Sequence, residues 1–296
     1  MSTGCAHAQA RAGWLFIAPA LLLLATFFVL PVVAGLLLSL TDFDLYAVAD
    51  PGAARFVGLS NFAAVLADDA FWRAFANTLT FVLIGMPLSL AVSLAAALLL
   101  DHRRARLRGL FRTVYFVPVV TTLVSVAIVW RYLYHPRYGL LNHGLELLGL
   151  GPIDWLGDPR FAMPAIILLA VWKNFGYNML IFLAGLQTIP DELYEAAAID
   201  GAGPWRRFRH ITLPGLAPTA LFVGVTTLIG YFQLFAEPYV MTQGGPLGAT
   251  RSLVLLMYEE GFRWWRMGIA STVAVLLLVI TVAAALVQLR LQRRPT

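Results

Sequence analysis

Six stretches of this chain are apolar for long enough to cross a bilayer, roughly residues 14–40, 78–100, 114–132, 161–186, 217–236 and 267–289. A span needs about 20 residues at a rise of about 1.5 Å each. Backbone groups in hydrocarbon have no water to bond, so each stretch must be helical. Only 12% of residues are charged and 60% are hydrophobic, whereas a soluble domain carries about 25% charge. The expected fold class is therefore an all-α membrane protein with six transmembrane helices. Pro19, Pro31, Pro87 and Pro118 lie in or near these runs. Proline is tolerated there when neighbouring helices or water satisfy the carbonyl it frees.

The first run is too long for the 7–15-residue apolar region of a signal peptide, and no small-x-small site follows it, so it reads as an uncleaved helix. Cys5 is the only cysteine, which excludes a disulfide framework or a cysteine metal site within one chain. The formal net charge of +5 does not point to nucleic acid, because the arginines cluster in particular loops. Arg103, Arg104, Arg106, Arg108 and Arg112 follow the second run; Arg206, Arg207 and Arg209 follow the fourth; Arg290, Arg293 and Arg294 follow the sixth. Between the first two runs, Arg55 and Arg73 face Asp42, Asp44, Asp50, Asp68 and Asp69. The positive-inside rule then places both termini and loops 101–112 and 187–216 in the cytoplasm, in a cell inner membrane. Arg251, Arg263 and Arg266 on the outer side weaken that contrast without reversing it.

No repeat or low-complexity linker divides the chain. The expected organisation is a cytoplasmic tail at 1–13, a first helix and external segment at 14–77, a membrane domain at 78–289 and a cytoplasmic tail at 290–296. Within the external segment, Asp50-Pro51-Gly52 forms a turn, and 60–75 has apolar residues at helical spacing, as for a helix lying in the interface.

The loop at 190–214 carries more structure than a connection needs. Pro190 opens a helix with Asp191 and Glu192 in its first turn, where acids favour the positive end of the dipole. Gly201 and Gly203 end it. Pro204 opens a second helix, with Trp205, Phe208 and Ile211 beside Arg206, Arg207 and Arg209, and Pro214 closes it. Such a pair serves equally as a docking surface or as an interfacial anchor, because both use the same residue types.

Glu195-Ala196-Ala197, three residues, Gly201, nine residues, then Ile211-x-Leu213-Pro214 resembles the EAA loop of binding-protein-dependent ABC importer permeases. Four further stretches, beginning at Phe56, Phe71, Ala184 and Tyr239, resemble the carbohydrate branch of that family, which contains the maltose and glycerol-phosphate importers. The last of these ends in Thr242-x-Gly244-Gly245-Pro246. The resemblance runs from about Trp14 to Leu289. It implies a type I importer permease fold that supplies half of a translocation path. It also implies that Glu195, Ala196, Ala197, Asp200, Gly201, Ile211, Leu213 and Pro214 couple to an ATPase. The implied partners are a second permease subunit, two ATP-binding cassette subunits, an external solute-binding protein, a sugar and membrane lipid, with no cofactor and no nucleic acid.

ATP hydrolysis belongs to another chain in this reading. A P-loop needs Gly-x4-Gly-Lys-Ser/Thr, and the only lysine, Lys173, stands in Val-Trp-Lys-Asn. Polar groups within spans are costly and face a cavity or another helix. The fourth run carries Trp172, Lys173, Asn174, Tyr177 and Asn178; the fifth carries Thr226, Thr227, Tyr231 and Gln233, with Glu237 at its outer end. Amides and hydroxyls suit sugar hydroxyls, and rings cover apolar sugar faces. Asn174, Tyr177, Asn178, Thr227, Tyr231 and Gln233 are thus the candidate solute-path residues, and family resemblance places the corresponding helices along the solute site. The competing roles are interhelical bridging by Asn and Thr and belt positions for the aromatic residues. Lys173 is compatible with snorkelling, with pairing to Glu237 or another chain, or with an anionic ligand.

The five histidines lie in loops or tails without metal-ligand spacing, and no Gly-x-Ser-x-Gly elbow is present. An ion-coupled secondary transporter, the other transport class, needs acids or broken helices at the membrane centre; no Asp or Glu lies central in any run. A membrane enzyme or receptor predicts a catalytic cluster or a soluble domain, and neither is visible.

Overall fold

The computed structural model describes residues 3–50, 52, 54–101 and 107–292. Pro51, His102, Arg103, Arg104, Arg106, Arg293 and Arg294 lie outside the described residues. Among the described residues every regular element is a helix, apart from one isolated bridge between Thr41 and Phe56. Among the described residues, four helices are each long and apolar enough to cross a membrane: α1 (Gly13–Leu38), α2 (Asp69–Asp101), α5 (Pro159–Leu186) and α9 (Met267–Gln292). Between them lie two bent pairs. The first is α3 (Arg108–Val120) with α4 (Leu123–Leu133), bent by 100°; the second is α7 (Pro204–Gly215) with α8 (Ala217–Phe232), bent by 65°. The number of spans becomes six if each pair forms one. The helix containing α1 starts at Thr3, so residues assigned to a tail already belong to it.

Three of the helices widen to a π turn at a position set by proline. The turns are Ala25–Val29, Phe81–Gly85 and Phe208–Thr212, and Pro31, Pro87 and Pro214 stand two residues beyond them. Proline has no N–H, and its ring collides with the carbonyl four residues earlier. Those carbonyls belong to Phe27, Leu83 and His210, the middle residue of each π turn. Widening by one residue moves the carbonyl aside and keeps the helix running. Pro214 stands one residue before the end of the loop helix at Gly215, close to where the sequence suggested. It sits inside a short helix, Leu213–Gly215, that passes through the 65° bend into α8.

The run at 114–132 is not one continuous helix. Thr121 and Thr122 are extended, with ψ of 147° and 137°. Pro118 has no amide to donate to the preceding turn, and Thr121 Oγ1 donates to the Pro118 carbonyl at 2.7 Å. The amphipathic stretch 60–75 is likewise divided. A helix covers Ser60–Ala67, Asp68 is extended, and Asp69 starts α2, nine residues before the expected start of that span. At the far end of the fifth run, α8 stops at Phe232, Gln233 caps it, and a separate short helix covers Ala236–Met241.

The chain forms two compact units. One comprises residues up to Asp68 together with Met257–Leu276. Within it, the Asn61 amide donates to the carbonyls of Ser39 and Thr41 at 2.9 and 2.8 Å, and Thr272 Oγ1 donates to Ser39 at 3.2 Å. These bonds tie the end of α1 to the start of α9. Arg266 pairs with Glu260 and Arg263 lies beside Glu259, so two of the outer arginines that blur the orientation count have acidic partners. The other unit comprises Asp69–Leu256 and the chain from Leu277. Its centre is α5, which packs along α2, α3 and α8. One apolar cluster gathers Phe81, Trp130, Ile166, Leu169 and Tyr231; another gathers Ala97, Met179, Phe182, Leu186 and Leu216.

Candidate functional site

A cavity of about 500 Å³ opens in the second unit. Asn174, Tyr177, Asn178, Thr227, Tyr231 and Gln233, the six residues singled out in the sequence, all stand on its wall. The helical period explains part of this. Asn174, Tyr177 and Asn178 are spaced i, i+3, i+4 on α5, and Thr227 and Tyr231 are spaced i, i+4 on α8. They are not equally available. Tyr177 is half exposed, while Asn178, Thr227 and Tyr231 are buried. Asn178 Nδ2 donates to Thr227 Oγ1 at 3.0 Å, so this pair bridges α5 to α8. Asn174 donates to the Ala170 carbonyl of its own helix at 2.9 Å. Thr227→Val is expected to destabilise the chain by about 1 kcal/mol, within the range for interhelical bonds in membranes. Thermal unfolding in detergent reads that change; no change would mean that the bond adds nothing to packing.

Tyr231 is held by the π turn of α2. Its ring stacks on Phe81 with centroids 4.8 Å apart, and a Cβ on Gly85 would come within 2.7 Å of it. Glycine at 85 therefore admits the ring. Phe81 also lines the cavity. Nothing in the sequence marked it, since an apolar ring in an apolar run carries no signal of direction.

The broken helix supplies another part of the wall. Val119 and Leu123 line the cavity on either side of the Thr121–Thr122 break. Lys173 accounts for the break: its Nζ donates to the carbonyls of Pro118 and Thr121, each at 3.0 Å. A helix C-terminus leaves its last carbonyls without intrahelical partners and carries partial negative charge. The single lysine of the chain thus caps α3 where it breaks. It also attracts Glu237 at longer range.

The loop between α5 and α8 has its own geometry. α6 (Asp191–Ile199) has Pro190 at its N-cap and ends at Asp200. Gly201 takes a φ of +72°, which a glycine adopts without steric penalty. The amide of Ala202 donates to Ala197 and that of Gly201 to Ala198, at 2.8 and 3.1 Å, the paired bonds of a Schellman turn. Gly203 is extended and caps the second helix, which Pro204 opens. The two arms are joined by Tyr194 Oη and Thr212 Oγ1 at 3.0 Å, and Arg207 donates to the Ala202 carbonyl at 2.7 Å. Glu195, Ala196, Asp200, Leu213 and Pro214 are exposed, and Ala197 and Ile211 are partly covered. Ile199 is 87% exposed and Trp205 68%, on a folded loop with a fixed turn. The loop thus holds apolar side chains exposed, an arrangement that suits a protein partner or a lipid interface.

Comparison with known proteins adds lineage to this geometry. The family described as binding-protein-dependent transport system inner membrane component matches residues 89–296. The lactose transport system permease protein LacF of Rhizobium radiobacter is 36% identical over 281 residues, covering 93% of this chain and 92% of the relative. The trehalose/maltose transport system permease protein MalF of Thermococcus litoralis is 36% identical over 287 residues, covering 97% and 95%. The sn-glycerol-3-phosphate transport system permease protein UgpA of Yersinia enterocolitica is 35% identical over 286 residues, covering 95% and 94%. Among solved structures, a chain of a bacterial ABC transporter involved in alginate import superposes with a TM-score of 0.79 at 24% identity, covering 97% of this chain and 98% of that one. That likeness establishes an ABC importer permease fold. With more than half its length matched and relatives aligned nearly end to end, the chain belongs to the family of inner-membrane components of binding-protein-dependent transport systems.

Proposed function

We propose that this chain is the permease subunit of an ATP-driven, binding-protein-dependent importer of a sugar or sugar derivative. It forms half of the translocation path and receives the ATPase on loop 190–214. The observation that carries the reading is the loop: a capped turn and a hydroxyl bridge hold Ile199 and Trp205 exposed on a folded surface. The relatives named for lactose, trehalose/maltose and glycerol phosphate support the substrate class. The cavity supports it chemically, since amides and hydroxyls beside a half-exposed tyrosine suit a polyhydroxylated ring.

In this reading both termini and the loop face the cytoplasm, and the cavity is the part of the path nearest α5 and α8. A second permease of the same family supplies the other half, two ATP-binding cassette subunits supply hydrolysis, and a solute-binding protein delivers the sugar outside. Nucleotide-driven closure of the ATPases pushes on α6. The Schellman turn passes that push to α7, which continues through its bend into α8 and so reaches Thr227 and Tyr231.

The double variant Glu195→Lys, Gly201→Asp tests the docking. A side chain at 201 meets open space, and aspartate tolerates the left-handed backbone at a cost of about 1 kcal/mol, so the fold is expected to survive. The ATPase should no longer copurify, and sugar uptake with binding-protein-stimulated hydrolysis in proteoliposomes should fall to background. Unchanged uptake with intact ATPase association would sink the docking role.

A further inference from the structure

The solute-path residues are neutral, yet the cavity they form has one charged group. Among the described residues lining it, only Glu237 carries a formal charge; no Arg, Lys or His stands on the wall. Glu237 belongs to the short helix Ala236–Met241 that follows the break after α8, and it is 9% exposed. Burial disfavours the ionised form and raises the carboxyl's pKa, while the positive charge of Lys173 acts the other way; once ionised, the carboxylate has few water dipoles around it to screen its field.

The nearest compensating charge is Lys173, which attracts Glu237, but it is committed elsewhere. It does not line the cavity, and its ammonium is bonded to the carbonyls of Pro118 and Thr121. Its charge is therefore opposed on that side by the negative end of α3. A solute in the cavity meets the carboxylate and neutral amides and hydroxyls, and no cation that could hold an acidic group.

We propose that Glu237 makes this cavity a charge filter, which accepts neutral and amino-bearing saccharides and disfavours acidic ones such as uronates and sugar phosphates. The proposal rests on the reading that the cavity is the solute path and sharpens its substrate class.

The test reads the potential in the cavity without needing to know the sugar. Cys5, the only native cysteine, is replaced by serine, and Thr226→Cys places a thiol on an exposed wall position. The intact transporter in nanodiscs is treated with methanethiosulfonates bearing trimethylammonium, sulfonate or neutral heads, and each rate is corrected for reaction with a small free thiol. The cationic reagent should react about ten-fold faster than the anionic one, a ratio equivalent to about 1.4 kcal/mol. Glu237→Gln should bring the ratio to near one with the neutral rate unchanged, and Glu237→Asp should preserve it. A ratio near one in the parent, or one that survives Glu237→Gln, overturns the filter alone. Absence of labelling by the neutral reagent removes the water-filled path and the filter with it.

Discussion

Replacing Gly176 by alanine should disrupt the transporter more than any other one-carbon change in its membrane domain. Gly176 lies on α5 where it crosses α3. A Cβ built there would fall 1.8 Å from the carbonyl oxygen of Tyr115 and 2.7 Å from its carbon. The obstacle is backbone, so no rotamer change relieves it. Restoring ordinary contact requires the two helices to part by roughly 1.5 Å. Overpacking of that kind costs typically about 1–3 kcal/mol where side chains give way, and here they cannot, so about 3 kcal/mol or more is expected. The damage also spreads. Lys173 stands three residues earlier on α5, on the same side of the helix, and helix separation stretches its bonds to Pro118 and Thr121. The outcome to measure is thermal unfolding and recovery of assembled complex from detergent, with Gly230→Ala as control. Gly230 has nothing within 4 Å of its would-be Cβ, so alanine there should be neutral or stabilise by about 0.5–1 kcal/mol through helix propensity. Equal behaviour of the two variants would show that the crossing yields more readily than its geometry implies.

What could be read from the sequence follows from which signals hydrocarbon makes strong. Membrane helices announce themselves because apolar runs of that length have no other stable setting. The cavity residues could be gathered for the same reason: Asn174, Asn178, Thr227 and Tyr231 are polar or half-polar in runs where such groups must face something. The left-handed Gly201 was legible because glycine between a helical pattern and a proline has few other uses. Its paired amide bonds to Ala197 and Ala198 are what the turn adds on folding.

The misses have equally physical causes. Thr121 and Thr122 break a run that reads as one helix, because threonine is common in membrane helices and nothing local distinguishes a break from a kink. Pro118 was read as tolerated, and it helps end α3 once Lys173 is present to take the carbonyls. Phe81 and Gly85 hold Tyr231 from another helix, and apolar or absent side chains in apolar runs leave no trace of which way they face. Lys173 itself was conspicuous, but its partners are backbone carbonyls, which every residue has, so no residue type betrays them.

That last pairing carries the second large expectation. Lys173→Met keeps most of the side chain's length and apolar stem while removing the three N–H donors. The Thr121 carbonyl then loses its donor, and the Pro118 carbonyl keeps only the Thr121 hydroxyl. Hydrogen bonds to charged groups contribute about 1.5–3 kcal/mol in proteins, and those measured between membrane helices are weaker, to about 1.7 kcal/mol at most. Two bonds lost together are therefore expected to cost about 2–3 kcal/mol. The functional loss should be larger than that figure implies, because Val119 and Leu123 line the cavity on either side of the break; a tilt of α4 about Thr121–Thr122 moves Leu123 relative to Val119. Uptake by reconstituted transporter is expected to fall about ten-fold or more, with thermal unfolding shifted less than in Gly176→Ala. Lys173→Arg should recover part of it, since guanidinium also donates to carbonyls but brings a bulkier, planar head to a site built for a point charge. The two substitutions together separate a cap from a solute ligand. A cap loses stability and uptake in parallel and regains both with arginine. A residue acting only on solute would leave unfolding untouched, and that result would remove Lys173 from the architecture of the broken helix.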